Sequence, residues 1–425
     1  MKPAIDAVTS QAVERRVGRT GPYLGGSVQH IDRRQALKLL GALGAAGLAS
    51  ACALSDDDDS RGGSATPVRI GLLTPQSGAN KPVGEDMRNG FQLYLGLNGQ
   101  RLGGHPVELV TADEGDSAKT GQAALKQLLD RNVLALVGVA SSTVMTAIRP
   151  AIEAAKVPLI GSNASPAALT GSVFIWRTSY VDDEPGRALG PYVSEQVRGK
   201  VALITADSAG DPSGRDAIEG FRFSFGSTDE RIVDSLVSVP YSARPGAGYY
   251  AGTLNELEEM DPDAVYCTLS GNAAVEFIKQ YRAAGLRKPL YAPGFATEGA
   301  SLTALGESGR DVFTALNYSS DLDNPANRRF ATAYRQEHST SPTTYAMAAY
   351  DAAAVLDKAI SLAGSELTPL AVNLSLSKIG QVDSPRGTWQ FNQSRTPQQV
   401  WYLRQVREDG RVLANVVLGQ LATLG

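Results

Sequence analysis

The sequence predicts an α/β protein with two doubly wound parallel-sheet lobes joined by a hinge. Three observations carry that expectation. Short apolar runs alternate with amphipathic stretches, the runs are nearly continuous in their apolar character, and a second such series follows the first. Strands that are apolar throughout belong to a parallel sheet covered by helices on both faces. At 425 residues the chain is also too long for one ordinary core.

The first series begins with an apolar strand over residues 68–73. Residues 85–97 then carry Met87, Phe91, Tyr94 and Leu97 at helical spacing. A strand over 107–110, a helix over 118–129, a strand over 134–139, a helix over 144–155 and a strand opening at Pro158 continue the pattern. The second series has its apolar runs at 201–205, 264–268, 289–291 and 312–316. In sheets of this kind ligands bind beyond the carboxyl ends of the strands, so the loops there are the ones to read for function.

Composition narrows the classes of function. Apolar residues make up 43% and charged residues 20%, the balance of a soluble globular protein. A net charge of −4 shows no basic excess for a nucleic-acid partner. The two cysteines, Cys52 and Cys267, cannot build a disulfide framework or a thiolate cluster, and the three histidines share no metal-ligand spacing. No metal and no cofactor is expected.

The first 52 residues read as a leader. Arg33, Arg34 and Lys38 precede the apolar run 39–48, which is too short to span a bilayer and ends in the small residues Ala49-Ser50-Ala51. This is the pattern of a signal peptide. Asp32-Arg33-Arg34-Gln35-Ala36-Leu37-Lys38 resembles a twin-arginine export signal, with Ala36 in the place usual for Phe. Cys52 directly after the small residues resembles a lipobox, although Leu48 lies one residue further from the cysteine than that motif has it. Lipidation at Cys52 is the expectation, with a membrane anchor as its consequence. Residues 53–66, acidic and then Gly/Ser-rich, read as a flexible tether.

Two strand-end loops carry the candidate site. Ala140-Ser141-Ser142-Thr143 opens a helix, where free N–H groups, the positive end of the dipole and hydroxyls suit an anion. Gly161-Ser162-Asn163-Ala164-Ser165-Pro166 follows the next strand, with Ser165 placed as an N-cap and Pro166 as first helical residue. Either alone is ordinary capping; together, at adjacent strand ends, they make a seat for a carboxylate. Tyr180 to Glu184 is either a hinge strand with a polar rim or a plain solvated loop.

In this order and spacing the residues resemble the leucine/isoleucine/valine-binding protein family, the type I solute-binding receptors of ABC transporters. The resemblance runs from Val68 to the C-terminus. It is carried by Thr74-Pro75-Gln76-Ser77-Gly78, the block from Gly138 to Ser165, Tyr281-Arg282-Ala283-Ala284-Gly285-Leu286, Tyr345 to Ala352, and a closing hairpin between Gly387 and Gly410. It implies that Ser142 binds a ligand carboxylate, that Ser165 meets both carboxylate and amine, and that the Asn163 carbonyl accepts from the amine. It also implies an ABC permease as partner and a small carboxylate, such as an amino acid, as ligand. The expected lobes are 67–180 with 316–380, and 181–315 with 381–425.

The far lobe departs from the family. Pro293-Gly294-Phe295-Ala296-Thr297-Glu298 has Gly294 where amino-acid binders carry a Glu for the ammonium, leaving Glu298 or Asp211 as substitutes. Ser270 stands at an aromatic position, Asp207-Ser208-Ala209-Gly210-Asp211-Pro212 replaces the usual Asp-x-x-x-Tyr-Gly, and Val83 falls where an aromatic often covers the ligand. A ligand that keeps its carboxylate but is not a simple branched-chain amino acid is therefore expected. Ser141, Thr143, Ala164, Tyr180 and Phe295 complete the candidate wall.

The rival class is an enzyme on the same fold. The chain has no Gly-x-Ser-x-Gly elbow, no His-Glu-x-x-His helix, no phosphate loop and no Gly-x-Gly-x-x-Gly after a strand. Cys267 lies in an apolar strand and reads as core. Asp182, Asp183 and Glu184 are adjacent on a loop and point in different directions, so they do not read as paired catalytic carboxylates. A ligand-sensing or envelope-regulatory lipoprotein on the same fold is the alternative to an importer component.

Overall fold

The structure is a computed structural model that describes residues 66–206, 212–237 and 245–425. The leader, Cys52 and the tether through residue 65 lie outside the described residues, as do Asp207 to Asp211.

The first sheet contains β1 (Val68–Thr74), β2 (Arg101–Leu102), β3 (His105–Asp113), β4 (Ala135–Gly138), β5 (Leu159–Gly161) and β6 (Ile175–Arg177). Its order is β2-β3-β1-β4-β5-β6, parallel except where the short β2 pairs with β3. Helices α1 (Lys81–Leu97), α2 (Ala118–Leu129) and α3 (Ser142–Ala155) connect its strands. The second lobe follows with α4 (Glu184–Gln196), α5 (Pro212–Gly226), α6 (Ala251–Met260), α7 (Gly271–Ala283) and α8 (Ala300–Leu305). Its sheet takes β7 (Val201–Ala206), β8 (Ile232–Val237), β9 (Ala264–Cys267), β10 (Leu290–Pro293) and β11 (Val312–Leu316) in the parallel order β8-β7-β9-β10-β11. The chain then returns to the first lobe as α9 (Pro325–His338), α10 (Thr344–Ala363) and α11 (Pro369–Leu376). It ends in the second with β12 (Gln390–Phe391), β13 (Pro397–Asp409) and β14 (Val412–Leu424), antiparallel beside β11.

The central strands of each sheet are buried on both faces, as their apolar sequences require. Ile70 and Leu72 of β1 with Val137 of β4 face Phe91, Ala352 and Leu356, while Leu73 and Leu136 face Leu125, Leu128 and Ile148. In the second sheet Ile204, Val265 and Leu290 belong to one layer, and Leu203, Tyr266 and Tyr291 to the other. Each such side chain contributes about 1.5–3 kcal/mol on burial. Cys267 is fully buried here, and desolvation pushes its thiol up to about 12, the setting of a packing residue and not of a nucleophile.

Boundaries shift where a local signal competes with periodicity. Helix α1 starts at Lys81, before the expected 85, because Pro82 sits in its first turn with its missing N–H at no cost. Helix α2 runs over 118–129 as its sequence indicates, fixed by a capping box between Ser117 and Thr120. Among the described residues no helix is long and apolar enough to cross a membrane.

Three segments cross between the sheets, at residues 178–183, 317–324 and 377–389. They converge on buried polar groups. Asp351 of α10 receives the guanidinium of Arg386, 2.6 Å away, the Ser384 hydroxyl at 2.7 Å and the Trp389 indole N–H at 3.0 Å. Arg386 also donates to the carbonyls of Thr178 and Ser179 and to Gln399 Oε1, and Asn317 donates to Gln399 Oε1 as well. Arg386→Ala would leave the carboxylate of Asp351 buried without its cation. The expected loss is about 3–5 kcal/mol of stability in urea unfolding; a loss under about 1 kcal/mol would show the hinge pair to be dispensable.

Candidate functional site

The turn after β4 is set by its backbone. Gly138 has φ of 123°, and a Cβ there would lie 2.1 Å from the Leu73 carbonyl oxygen, so only glycine lets the two strands approach. Val139 follows at φ 66°, an uncommon conformation for a β-branched residue, held by its N–H on the Leu73 carbonyl and its carbonyl on the Ala164 N–H. This strained turn delivers Ala140 to Thr143 to the start of α3.

The first amides of that loop are already engaged. Glu114, wholly buried, accepts from the N–H of Ala140 at 2.7 Å and of Ser141 at 2.8 Å. Ser141 is the N-cap of α3, accepting from the Val144 N–H. Ser142 donates its hydroxyl to Asp182 Oδ2 at 2.7 Å, while Thr143 is exposed in the first turn. Asn163 donates its side-chain amide to the Ala140 carbonyl, tying the two strand-end loops together.

These loops open on a cavity of about 250 Å³ between the two sheets. The first lobe lines it with Asn80, Val83, Asp86, residues 140–143, Asn163, Ala164 and Tyr345; Tyr180 and Asp182 come from the first crossing. The second lobe supplies Pro212, Ser213, Ser270, Asn272, Phe295 and Glu298 among others. Strand order reverses in each sheet beside these loops, between β1 and β4 and between β7 and β9. Those are the points where a doubly wound sheet leaves a crevice for a ligand.

Of the residues expected in the wall, Ser141, Ser142, Thr143, Asn163, Ala164, Tyr180, Ser270, Phe295 and Glu298 line the cavity. Asp211 lies outside the described residues. Ser165 departs from its expected role. The chain makes only a single 3-10 turn, Ala167–Leu169, with Pro166 extended before it, and the Ala167 amide is capped by Asp216 of α5 instead. The Ser165 hydroxyl is buried without a hydrogen-bond partner behind the wall, and its carbonyl accepts from Asp182 N–H.

Glu298 reaches the cavity with both oxygens occupied. One accepts from the Thr344 N–H and the other from Arg404, 2.9 Å away and buried with it. It is therefore no free substitute for an ammonium partner. Gly294 cannot carry one either, since a Cβ there would meet Leu316 at 2.6 Å.

Residues 180–184 are not a solvated loop: Tyr180, Asp182 and Glu184 are all at most 5% exposed. The sequence reading set Asp182 aside; folding turns it onto Ser142. Asp86 and Tyr345 were also missed. Asp86 stands three residues after Val83, one helical turn along the same face, and that spacing was the available signal. Burial pushes the Asp86 carboxyl up to about 6 and those of Glu114 and Glu184 up to about 8. Among the described residues no group of three or more His, Cys, Asp or Glu could hold a metal ion.

Two hinged α/β lobes with a cavity at both switch points define a solute-binding protein of the ABC-transporter type. The sequence pattern of the periplasmic binding protein family matches residues 67–411, and the chain belongs to that family, in its leucine/isoleucine/valine-binding branch. Leu/Ile/Val-binding protein homolog 6 of Brucella melitensis is 25% identical over 349 residues, 80% of this chain and 87% of the relative. The solute-binding protein of an ABC transporter from R. palustris, solved with benzoate, superposes with a TM-score of 0.76 at 28% identity, covering 84% of this chain and 97% of that one. The branched-chain amino acid transporter substrate-binding protein LivJ of Streptococcus pneumoniae, solved with isoleucine, shares the fold at a TM-score of 0.72 and 21% identity, over 83% of this chain and all of its own. Such relatives are substrate-binding proteins and not enzymes.

The buried carboxyls give a pH signature. Glu114 and Glu184 move from 4.5 up to about 8 on folding, chiefly by desolvation, so the folded state holds protons that the unfolded chain has lost. Their contribution to stability is complete below the unfolded value and is lost as pH rises through the folded one. The denaturant midpoint should fall between about pH 5 and pH 9, and Glu114→Gln should flatten that slope whatever it does to absolute stability. A midpoint rising over the same window would contradict the assignment.

Proposed function

We propose that this protein is an extracytoplasmic, lipid-anchored receptor for an amino acid or related small carboxylate, delivering it to an ABC permease. The observation that carries the ligand class is the wall at the start of α3. There Ser142 and Thr143, in the first turn of a 14-residue helix, line the cavity at the positive end of that helix. Relatives solved with benzoate and isoleucine hold ligands that carry a carboxylate. Ligand bridging both lobes favours the closed arrangement, because only there does it touch both walls, and the permease would read that shape.

The expected export route starts from the arginine pair Arg33-Arg34 and the apolar run before Cys52, with the lipid on Cys52. Cys52→Ser should release the protein from the membrane fraction and leave ligand binding unchanged. Equal membrane association of the two forms would remove the anchor.

A thermal-shift screen against amino acids and aromatic acids identifies the ligand. With that ligand, Ser142→Ala should weaken binding by about 1.5–3 kcal/mol, since a bound carboxylate takes the hydroxyl over from Asp182 and loses that donor in the variant. Calorimetry showing wild-type affinity would reduce Ser142 to a support for Asp182.

A further inference from the structure

The cavity wall is electrostatically one-sided. Asp86, Asp182 and Glu298 line it, and among the described residues none that lines it is Lys, Arg or His. Glu298 is compensated by Arg404 behind it. Asp86 is not placed that way. Its oxygens accept from two neutral hydroxyls, Tyr334 at 3.2 Å and Thr343 at 2.9 Å. The charged groups that bear on it are Glu298 and Glu85, both of its own sign. Burial, with those like charges, raises its carboxyl to about 6, so the carboxylate there is costlier than one in water. A cation arriving in the cavity reverses this, and an anion worsens it. The rings of Tyr180, Phe295 and Tyr345 share the wall, and ring faces attract an organic cation.

We propose that the ligand carries a cationic nitrogen besides its α-amino group, that Asp86 takes it, and that the cargo is therefore a basic amino acid. This rests on the reading of the cleft as an amino-acid site and narrows it. The carboxylate goes to the start of α3 and the side-chain nitrogen to α1, so the ligand spans from one strand-end loop to the first helix. An aromatic acid or a branched-chain amino acid seats its carboxylate at the same helix start but leaves Asp86 without a counter-charge.

The test uses lysine, arginine, norleucine, leucine and benzoate with the purified protein and with Asp86→Asn and Asp86→Glu. Norleucine has the carbon chain of lysine without its terminal amine, so it isolates the charge. Lysine or arginine should bind at least tenfold more tightly than norleucine. Asp86→Asn, which keeps one oxygen to accept from Tyr334 or Thr343, should bring that ratio near one, and Asp86→Glu should retain part of it. The melting temperature of each variant without ligand checks that it is folded. Norleucine, leucine or benzoate binding as tightly as the basic amino acids, with the ratio unmoved by Asp86→Asn, would overturn the proposal and leave the amino-acid cleft standing. Binding of none of the five would count against the amino-acid cleft itself, and the proposal would fall with it.

Discussion

The carboxylate of Asp351 lies in the interior of the hinge with a guanidinium, a hydroxyl and an indole N–H on one oxygen. Arg386, its partner, reaches on to two carbonyls of the first crossing and to Gln399 at the base of β13. One buried cation thereby ties three separate stretches of chain, 13, 35 and 208 residues from it in sequence. A hinge built from bare backbone would bury carbonyls without donors, which costs more than the bends themselves. The ion pair fixes where the crossings lie. The wall that Tyr180 and Asp182 give to the cavity follows from that.

The site inherits its character from the same economy of buried charge. Glu114 holds the first amides of the loop before α3, Asp182 holds the Ser142 hydroxyl, and Arg404 neutralises Glu298. In the far lobe Gly294 packs on Leu316 so tightly that no side chain fits, so the ammonium position of the family is closed by packing and not simply left empty. The cavity lining joins hydroxyl and amide residues, the aromatics Tyr180, Phe295 and Tyr345, and the acids Asp86, Asp182 and Glu298.

Much of the architecture was legible because it depends on local repetition. The apolar strands 68–74 and 201–206 and the capped helix 118–129 announce themselves by period and by Ser117. The loops at the strand ends were legible for the same reason, since the fold says where a crevice opens. The pairings that decide their chemistry were not. Ser142 meets a carboxylate forty residues away, Glu298 meets an arginine 106 residues away, and Asp351 meets Arg386 35 residues on across a crossing. No period records such contacts. Ser165 failed for the opposite reason: its local pattern fits an N-cap, but Asp216 from the other lobe reaches the Ala167 amide first.

The proposed ligand is held by both lobes at once. Small-angle scattering of the purified protein, alone and saturated with the compound giving the largest thermal shift, tests this most directly. Closure on the ligand predicts a smaller radius of gyration at saturation, with the change complete at the stoichiometry of one site. A saturated protein with an unchanged radius of gyration would contradict it, because the ligand would then be gripped by one wall alone.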